Sequence, residues 1–273
     1  DSDMILKPNG LNLYFRYVLA SLRGQMQYRA SFLMQSAGTL LFACIEFLSL
    51  WALMDRFGNI RGWTLPEVAL LYGIVNVSFA LAEAASSGFE SFGFKVKAGD
   101  FDRLLVRPRS TALQLAGEEL TLRRMGRLIQ GIAVLIYALV ALQVTWSIGN
   151  LLLLPAAIAG GACLFFGLIV LQAVMSFWTT ETLEIMATVT YGGMETAQYP
   201  LTVYHSSLRR FFTYVVPLAC VTYFPTLAIL NKPDPLGSPV LFQWLSPVIG
   251  LLFLLACLQI WKFGERHYRS TGS

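Results

Sequence analysis

Long apolar stretches alternate with short polar ones along most of the chain. The clearest stretches cover residues 31–54, 66–89, 128–146, 151–177 and 241–261, and a further apolar run covers 211–230. Each is close to the roughly 20 residues that a helix needs to cross about 30 Å of hydrocarbon. No stretch shows the alternation of a membrane barrel strand. The pattern therefore predicts an all-α polytopic bundle, with one transmembrane domain over residues 1–273.

The composition agrees with a membrane protein. Hydrophobic residues make up 56% of the 273 residues and charged residues only 13%, whereas an ordinary soluble domain carries about 25% charged residues. The four cysteines stand alone in apolar surroundings without CxxC spacing. We therefore expect core side chains there, with neither a disulfide framework nor a metal site.

Residues 1–30 have the pattern of a helix that lies in the membrane interface. Leu11, Tyr14 and Val18 fall on one helical face, and Arg16 and Arg23 on the other. A plain cytoplasmic helix packed on the bundle is the alternative.

The distribution of basic residues predicts the orientation. Fifteen lysines and arginines lie in the N-terminal part, in the 95–127 loop and at the C-terminal end, whereas Arg56, Arg61 and Lys232 lie on the other side. By the positive-inside rule, both termini and the loop are cytoplasmic, and the number of spans is even. This topology explains the net charge of +4 without a nucleic-acid partner.

Residues 178–230 allow two threadings. Hydropathy alone makes 211–230 the fifth span and leaves 178–207 in the cytoplasm. Alternatively, 178–199 crosses the membrane despite its three glutamates, and 200–230, which is interrupted by three prolines, forms a re-entrant hairpin in the outer leaflet. Sequence physics alone favours the first threading.

Chemical motifs are few, and they argue against an enzyme. The chain has no phosphate-binding GxxxxGK[ST] loop and only two histidines. Glu46 and Glu83 are more informative, because a charge near the bilayer centre costs on the order of 3 kcal/mol. We expect both to face the bundle interior, where they contact a cationic substrate or ion. The alternative is a structural hydrogen bond to a neighbour such as Gln35 or Asn76.

The most charged stretch is KVKAGDFDRLLVRPRS, at 95–110. Together with MQYRASF at 26–32, RFGNIRGWTLPEVALLYG at 56–73 and RRMGRL at 123–128, it resembles the membrane subunit of a bacterial ABC-2 type transporter. The closer resemblance is to an uncharacterised permease family with a G-[DE]-FDRLL-x-RP loop, a YP-L-x-x-Y segment and a terminal Y-x-S-x-GS. Here the last two are YPLTVY at 199–204 and YRSTGS at 268–273.

The resemblance implies a permease half of an exporter in the bacterial inner membrane, with six spans in a type V exporter-like fold. It also implies two cytoplasmic ATP-binding subunits, which hold ATP and Mg²⁺, so this chain carries no cofactor. The second permease is expected to be a related but different chain, and a copy of this chain is the alternative. The resemblance favours the re-entrant threading, with the fifth span at 178–199 and the hairpin at 200–230.

The loop at 90–124 would then hold the coupling helix that docks on the ATPase. Asp100 and Asp102 can cap a short helix that begins near Phe101, while Phe101 and Leu104 can fill an apolar pocket. Arg103 and Arg107 can pair with acids on the partner, and Pro108 stops the helix. The predicted docking residues are Gly99, Asp100, Phe101, Asp102, Arg103, Leu104, Arg107 and Pro108.

The predicted translocation path lies between the first, second and fifth spans and includes Glu46, Glu83 and Glu195. Two other classes of function remain open at this point. An ATP-independent secondary transporter would show inverted repeats with broken helices at the midplane, and we find neither. A non-transporting membrane scaffold would not need two acids inside its spans.

Overall fold

The computed structural model describes residues 29–107, 110–118, 125–178 and 183–268. The predicted interfacial helix at 1–30 and Pro108 lie outside these residues, except that 29 and 30 begin the first long helix. Within the described residues the regular structure is helical, with one isolated bridge between Ile60 and Trp63. The predicted all-α class is confirmed.

The helices follow the apolar stretches. In chain order they are α1 (Arg29–Phe57), α2 (Leu65–Glu90), α3 (Phe92–Lys97), α4 (Phe101–Leu105), α5 (Thr111–Glu118), α6 (Met125–Ala141), α7 (Ile148–Met175), α8 (Leu183–Ala197), α9 (Ser206–Arg210), α10 (Leu218–Val221), α11 (Tyr223–Leu230), α12 (Val240–Leu245) and α13 (Val248–His267). Four helical stretches of the described chain are long and apolar enough to cross a membrane: Leu33–Phe57, Leu65–Lys97, Ile148–Met175 and Val248–His267. The predicted third span is the shorter α6.

The last predicted span, 241–261, differs from the structure at its start. It is divided into α12 and α13 around Ser246 and Pro247. Proline lacks the backbone N–H that a continuous helix would use, which accounts for the interruption. The long apolar helix therefore begins at Val248.

Helix α2 is the centre of the bundle. It begins with a capping box, in which the backbone N–H of Thr64 donates to Glu67 Oε2 over 2.8 Å. Most of its length is buried, because α6 and α7 pack along it and α8 lies beside it. We call the end where α2 begins the hairpin end, and the end that carries residues 98–118 the loop end.

Residues 200–230 return to the end at which they start. The pieces Ser206–Val215 and Leu218–Leu230 meet at a bend of 70°. Leu201 and Arg209, before the bend, line the same cavity as Asp234, after it. Lys232 Nζ lies 2.9 Å from Glu67 Oε2 at the start of α2. This geometry favours the re-entrant threading, since a full span would put the two ends of the segment on opposite sides.

Close helix contacts at glycines hold α13 against α7. A Cβ on Gly250 would collide with the carbonyl oxygen of Gly160, and a Cβ on Gly160 would collide with the carbonyl oxygen of Pro247. Small residues let membrane helices approach to backbone contact, where dispersion forces and hydrogen bonds act. The last long helix is thus fixed by contacts that tolerate no side chain.

We predict that Gly250→Ala destabilises the protein, because the two helices must separate or distort to admit one methyl group. Overpacking of this kind costs about 1–3 kcal/mol. Thermal unfolding of the purified chain in detergent should show a clearly lower midpoint. Gly38→Ala is the matched control, because no atom lies within 4 Å of the Cβ position there. Equal midpoints for the two variants would contradict this account of the α7–α13 contact.

Candidate functional site

The charged loop forms the short helix that its sequence predicts. Gly99 has a φ of +72°, which glycine adopts without strain, and this lets the chain turn between α3 and α4. Helix α4 begins at Phe101 as expected, but the Asp100 side chain makes no capping hydrogen bond. Instead Asp100 Oδ1 lies 3.4 Å from Arg103 Nη1 in an exposed ion pair. The capping role predicted for Asp100 is therefore wrong in this structure.

Phe101 and Leu104 fill an apolar pocket that the chain itself provides. Both side chains are buried. The ring of Phe101 lies 5.0 Å from that of Phe92 and 4.9 Å from that of Tyr268, measured between centroids. We call this cluster the aromatic anchor; its members are Phe89, Phe92, Phe101, Phe177, Trp261 and Tyr268. These two residues hold the loop in place and do not present a surface to a partner.

The aromatic anchor fastens the loop to three long helices. Its rings come from the ends of α2, α7 and α13 as well as from the loop, and edge-to-face pairs of this kind contribute about 0.5–1.5 kcal/mol beyond area burial. Trp261 Nε1 also donates a 3.0 Å hydrogen bond to Thr111 Oγ1 at the start of α5. At Gly88, a Cβ would collide with the Leu115 backbone, so α5 touches α2 directly. The loop is thus attached to the ends of the long helices at several points.

The exposed side of the loop is different from the predicted one. Arg103 and Arg107 point to solvent, as expected of residues that contact a partner, and Asp102 is half-buried. Leu105 is also exposed, and Val106 is 85% exposed. Sequence reasoning missed these two apolar side chains. For Val106 the signal was present in the helical periodicity, because a helix that buries residues 101 and 104 turns 106 outward. Leu105 lies four residues after Phe101 and shares its helical face, so periodicity gave no signal for its exposure.

The second polar region lies inside the bundle, beside α2. Glu83 is 4% exposed, and its Oε2 lies 3.9 Å from Arg127 Nη1 on α6. Tyr191 on α8 donates to Glu83 Oε1 over 3.5 Å. Arg127 also lies over the ring of Phe79, at 5.4 Å from its centroid. The buried acid is therefore held between α6 and α8.

Glu46 belongs to a neighbouring network. Tyr72 donates to Glu46 Oε2 over 3.5 Å, and Gln130 Nε2 donates to the Tyr72 hydroxyl over 3.1 Å. Glu46 is half-buried. This network joins α1, α2 and α6 near the middle of α1.

A cavity of about 320 Å³ joins the two networks. It is lined by Thr39, Phe42, Glu46, Glu83, Arg127 and Tyr191. The prediction that Glu46 and Glu83 face one interior space is thus consistent with the structure. Glu195 is exposed on α8 and does not line this cavity, although it lies within electrostatic range of Glu46 and Arg127. We call the cavity and its lining residues the polar cavity.

Arg127 is the functional residue that sequence reasoning missed. It was counted with the loop cations that set topology, whereas the structure places it inside α6. The structural alternative for the two acids named Gln35 and Asn76 as examples of neighbours; in the structure Asn76 Nδ2 donates to the backbone oxygen of Tyr72, and Gln35 is exposed. The available signal was a buried acid that needed a cation, together with an arginine at position 127, immediately before the predicted span at 128–146.

Metal chemistry finds no support in these regions. Within the described ranges, no group of three or more His, Cys, Asp and Glu side chains could hold a metal ion. The four cysteines are free thiols, two of them buried.

Comparison with known proteins identifies the family. Residues 40–272 match the family described as ABC-2 family transporter protein. No curated protein and no solved structure matches the chain. The match covers the loop, the long helices except the part of α1 before residue 40, and the polar cavity except Thr39. The fold is the helical membrane bundle that such a protein requires. The chain therefore belongs to the ABC-2 family of membrane transporter proteins.

Proposed function

We propose that this chain is the permease subunit of an ATP-driven ABC-2 exporter and couples to a separate cytoplasmic ATPase. The observation that carries the proposal is the loop at 98–118, in which an exposed basic and apolar surface is fastened from behind by the aromatic anchor. A loop that only set topology would need positive charges and no buried aromatic core. The family match supports the transporter assignment.

The loop surface suits contact with another protein. Arg103 and Arg107 offer guanidinium groups that pair with carboxylates, and Leu105 and Val106 offer apolar area beside them. In our proposal two ATP-binding subunits hold ATP and Mg²⁺, one beneath each permease. Closure of the ATPases moves the loop, and the aromatic anchor passes this movement to α2, α7 and α13.

The polar cavity is proposed as part of the translocation path. Its walls come from α1, α2, α6 and α8, and it brings two acids and one arginine into an otherwise apolar bundle. A second permease completes the path; we favour a related but different chain, with a second copy as the alternative. Helix α1 leaves most of its apolar surface uncovered by the rest of the described chain, including Phe42, and so has room for a second permease beside it.

The proposed location is the bacterial inner membrane, with both termini in the cytoplasm. The excess of lysine and arginine at the loop end supports this orientation. The hairpin end, with Arg209 and Arg210, then faces outward. The direction of transport is proposed as export, as the resemblance to exporter permeases implies.

The docking surface is tested by reversing its charge. We predict that Arg103→Glu with Arg107→Glu lowers the amount of ATP-binding subunit that copurifies with the chain by about tenfold, because acidic groups would then face the acids expected on the partner. Lys262→Glu with Arg266→Glu is the matched control, because both residues are exposed on the same end of the bundle. Unchanged recovery in the loop variant, or an equal loss in the control, would contradict the docking role.

The ion pair inside the bundle is tested by a double-mutant cycle. Glu83→Gln and Arg127→Gln should each lower the free energy of unfolding, by up to about 3 kcal/mol, because each leaves a charge in a poorly hydrated site. The double variant should lose clearly less than the sum of the two, with a coupling on the order of 1 kcal/mol or more.

Unfolding in a denaturing detergent titration supplies these free energies. Glu46→Gln is the control and should have a smaller effect, since Glu46 is half-buried and its bond to Tyr72 is long. Strict additivity of the two changes would show that Glu83 and Arg127 do not act as a pair.

A further inference from the structure

A larger cavity lies at the hairpin end, away from the polar cavity and the loop. Its volume is about 630 Å³, and it sits between the first half of the re-entrant segment and the turn at 234–239. Its lining includes Arg209, Arg210, Tyr214, Phe224, Leu236 and Phe242. We call it the hairpin cavity. Nothing in the proposed path or in ATPase coupling uses it.

The cavity has more positive than negative charge, because two arginines and one aspartate line it. Its one acid, Asp234, is already engaged: Oδ1 accepts from the Tyr223 hydroxyl and the Leu236 N–H, each over 3.0 Å, and Oδ2 accepts from the Ser238 N–H over 3.1 Å. The carboxylate therefore stabilises the turn at 234–239, whose backbone N–H groups donate to it. Within the described residues it forms no ion pair with either arginine, and the two arginines exceed it by one positive charge.

The two arginines of the cavity carry charge that the described chain does not pair. Neither guanidinium forms an ion pair within the described residues, and the buried Nε of Arg209 has no hydrogen-bond partner there. A buried N–H without a partner costs free energy. A ligand that accepts a hydrogen bond from it therefore binds more tightly. Arginine is well matched to phosphate oxygens, to which it can donate two parallel hydrogen bonds. The unpaired groups thus select an oxyanion.

Apolar side chains surround these charges on the outer side. Tyr214 is 81% exposed, and Val215 beside it is also exposed. On the other flank Val240 and Leu241 are exposed at the start of α12. In a membrane bundle these side chains face lipid, and they lie next to arginines that extend to the interface. The ligand should therefore have an anionic head and an apolar body.

We propose that the hairpin cavity binds the phosphate-bearing headgroup of an anionic phospholipid. Arg209 and Arg210 hold the phosphate oxygens, and Tyr214, Leu236 and the neighbouring apolar residues contact the first part of the acyl chains. A zwitterionic headgroup binds less well, because its cation meets a site with excess positive charge. The bound lipid would brace the re-entrant segment against the turn at 234–239.

The experiment measures lipid retention by native mass spectrometry. The full chain is purified in mild detergent with any subunits that remain bound, then mixed with phosphatidylglycerol or phosphatidylcholine of identical acyl chains. We expect retention of phosphatidylglycerol to exceed that of phosphatidylcholine by about tenfold, because both lipids offer the same phosphate oxygens but the choline cation of phosphatidylcholine meets the excess positive charge of the site. Arg209→Gln with Arg210→Gln should abolish this preference. Equal retention of both lipids by the unaltered chain would overturn the proposal.

Matched variants separate this site from general attraction to positive charge. Arg56→Gln with Arg61→Gln removes the same charge from exposed positions outside the cavity and should leave the preference intact. Arg209→Lys with Arg210→Lys keeps the charge and should retain part of the preference for phosphatidylglycerol. Comparison with this variant shows whether the glutamine variant loses the preference through a folding defect. An equal loss in the Arg56/Arg61 control would overturn the proposal.

Inorganic phosphate serves as the soluble competitor. If it displaces phosphatidylglycerol completely at a few times the lipid concentration, the ligand is a soluble oxyanion and the lipid assignment is wrong. We expect no displacement under those conditions, because free phosphate gains nothing from the apolar rim.

Discussion

The burial of helix α2 is the constraint on which the other features depend. Most of the helix has no access to water, so a charged or polar side chain on it costs free energy unless it finds a partner inside the protein. Glu83 is met by Arg127 and Tyr191, and Tyr72 by Gln130. These requirements determine which helices surround α2 and create the polar cavity beside it. The same helix ends in the aromatic anchor, through Phe89, so one rigid element reaches both the cavity and the loop.

This arrangement gives coupling a physical form. Apolar helices slide past one another at little cost, but an edge-to-face aromatic cluster and backbone contacts at Gly88 and Gly250 resist sliding. In our proposal, a load on the exposed face of α4 therefore moves the attached helix ends together. At the opposite end, the Lys232–Glu67 ion pair holds the chain just after α11 against the start of α2. Movement of α2 would thus displace residues at both ends of the bundle.

The sequence predicted the parts that follow from local pattern. The lengths of the apolar stretches predicted where the long helices lie. The residues around Phe101 predicted the short helix in the loop. Patterns along the chain do not report contacts between helices, so Arg127 was assigned to the loop although it pairs with Glu83. The same limit applies to Phe101 and Leu104, whose pocket is formed by residues distant in sequence. Hydropathy could not decide the threading of 178–230 either, because the position of the chain after residue 230 depends on contacts such as Lys232 to Glu67.

The central claim, that this permease works with a separate ATPase, is tested most directly by mass spectrometry of the tagged chain. The chain is expressed with its neighbouring genes and purified in mild detergent, and the proteins that accompany it are identified and quantified. The account predicts an ATP-binding subunit in near-equal amount, together with a second permease. A chain that is recovered alone, with no ATP-binding subunit retained even weakly, would contradict it.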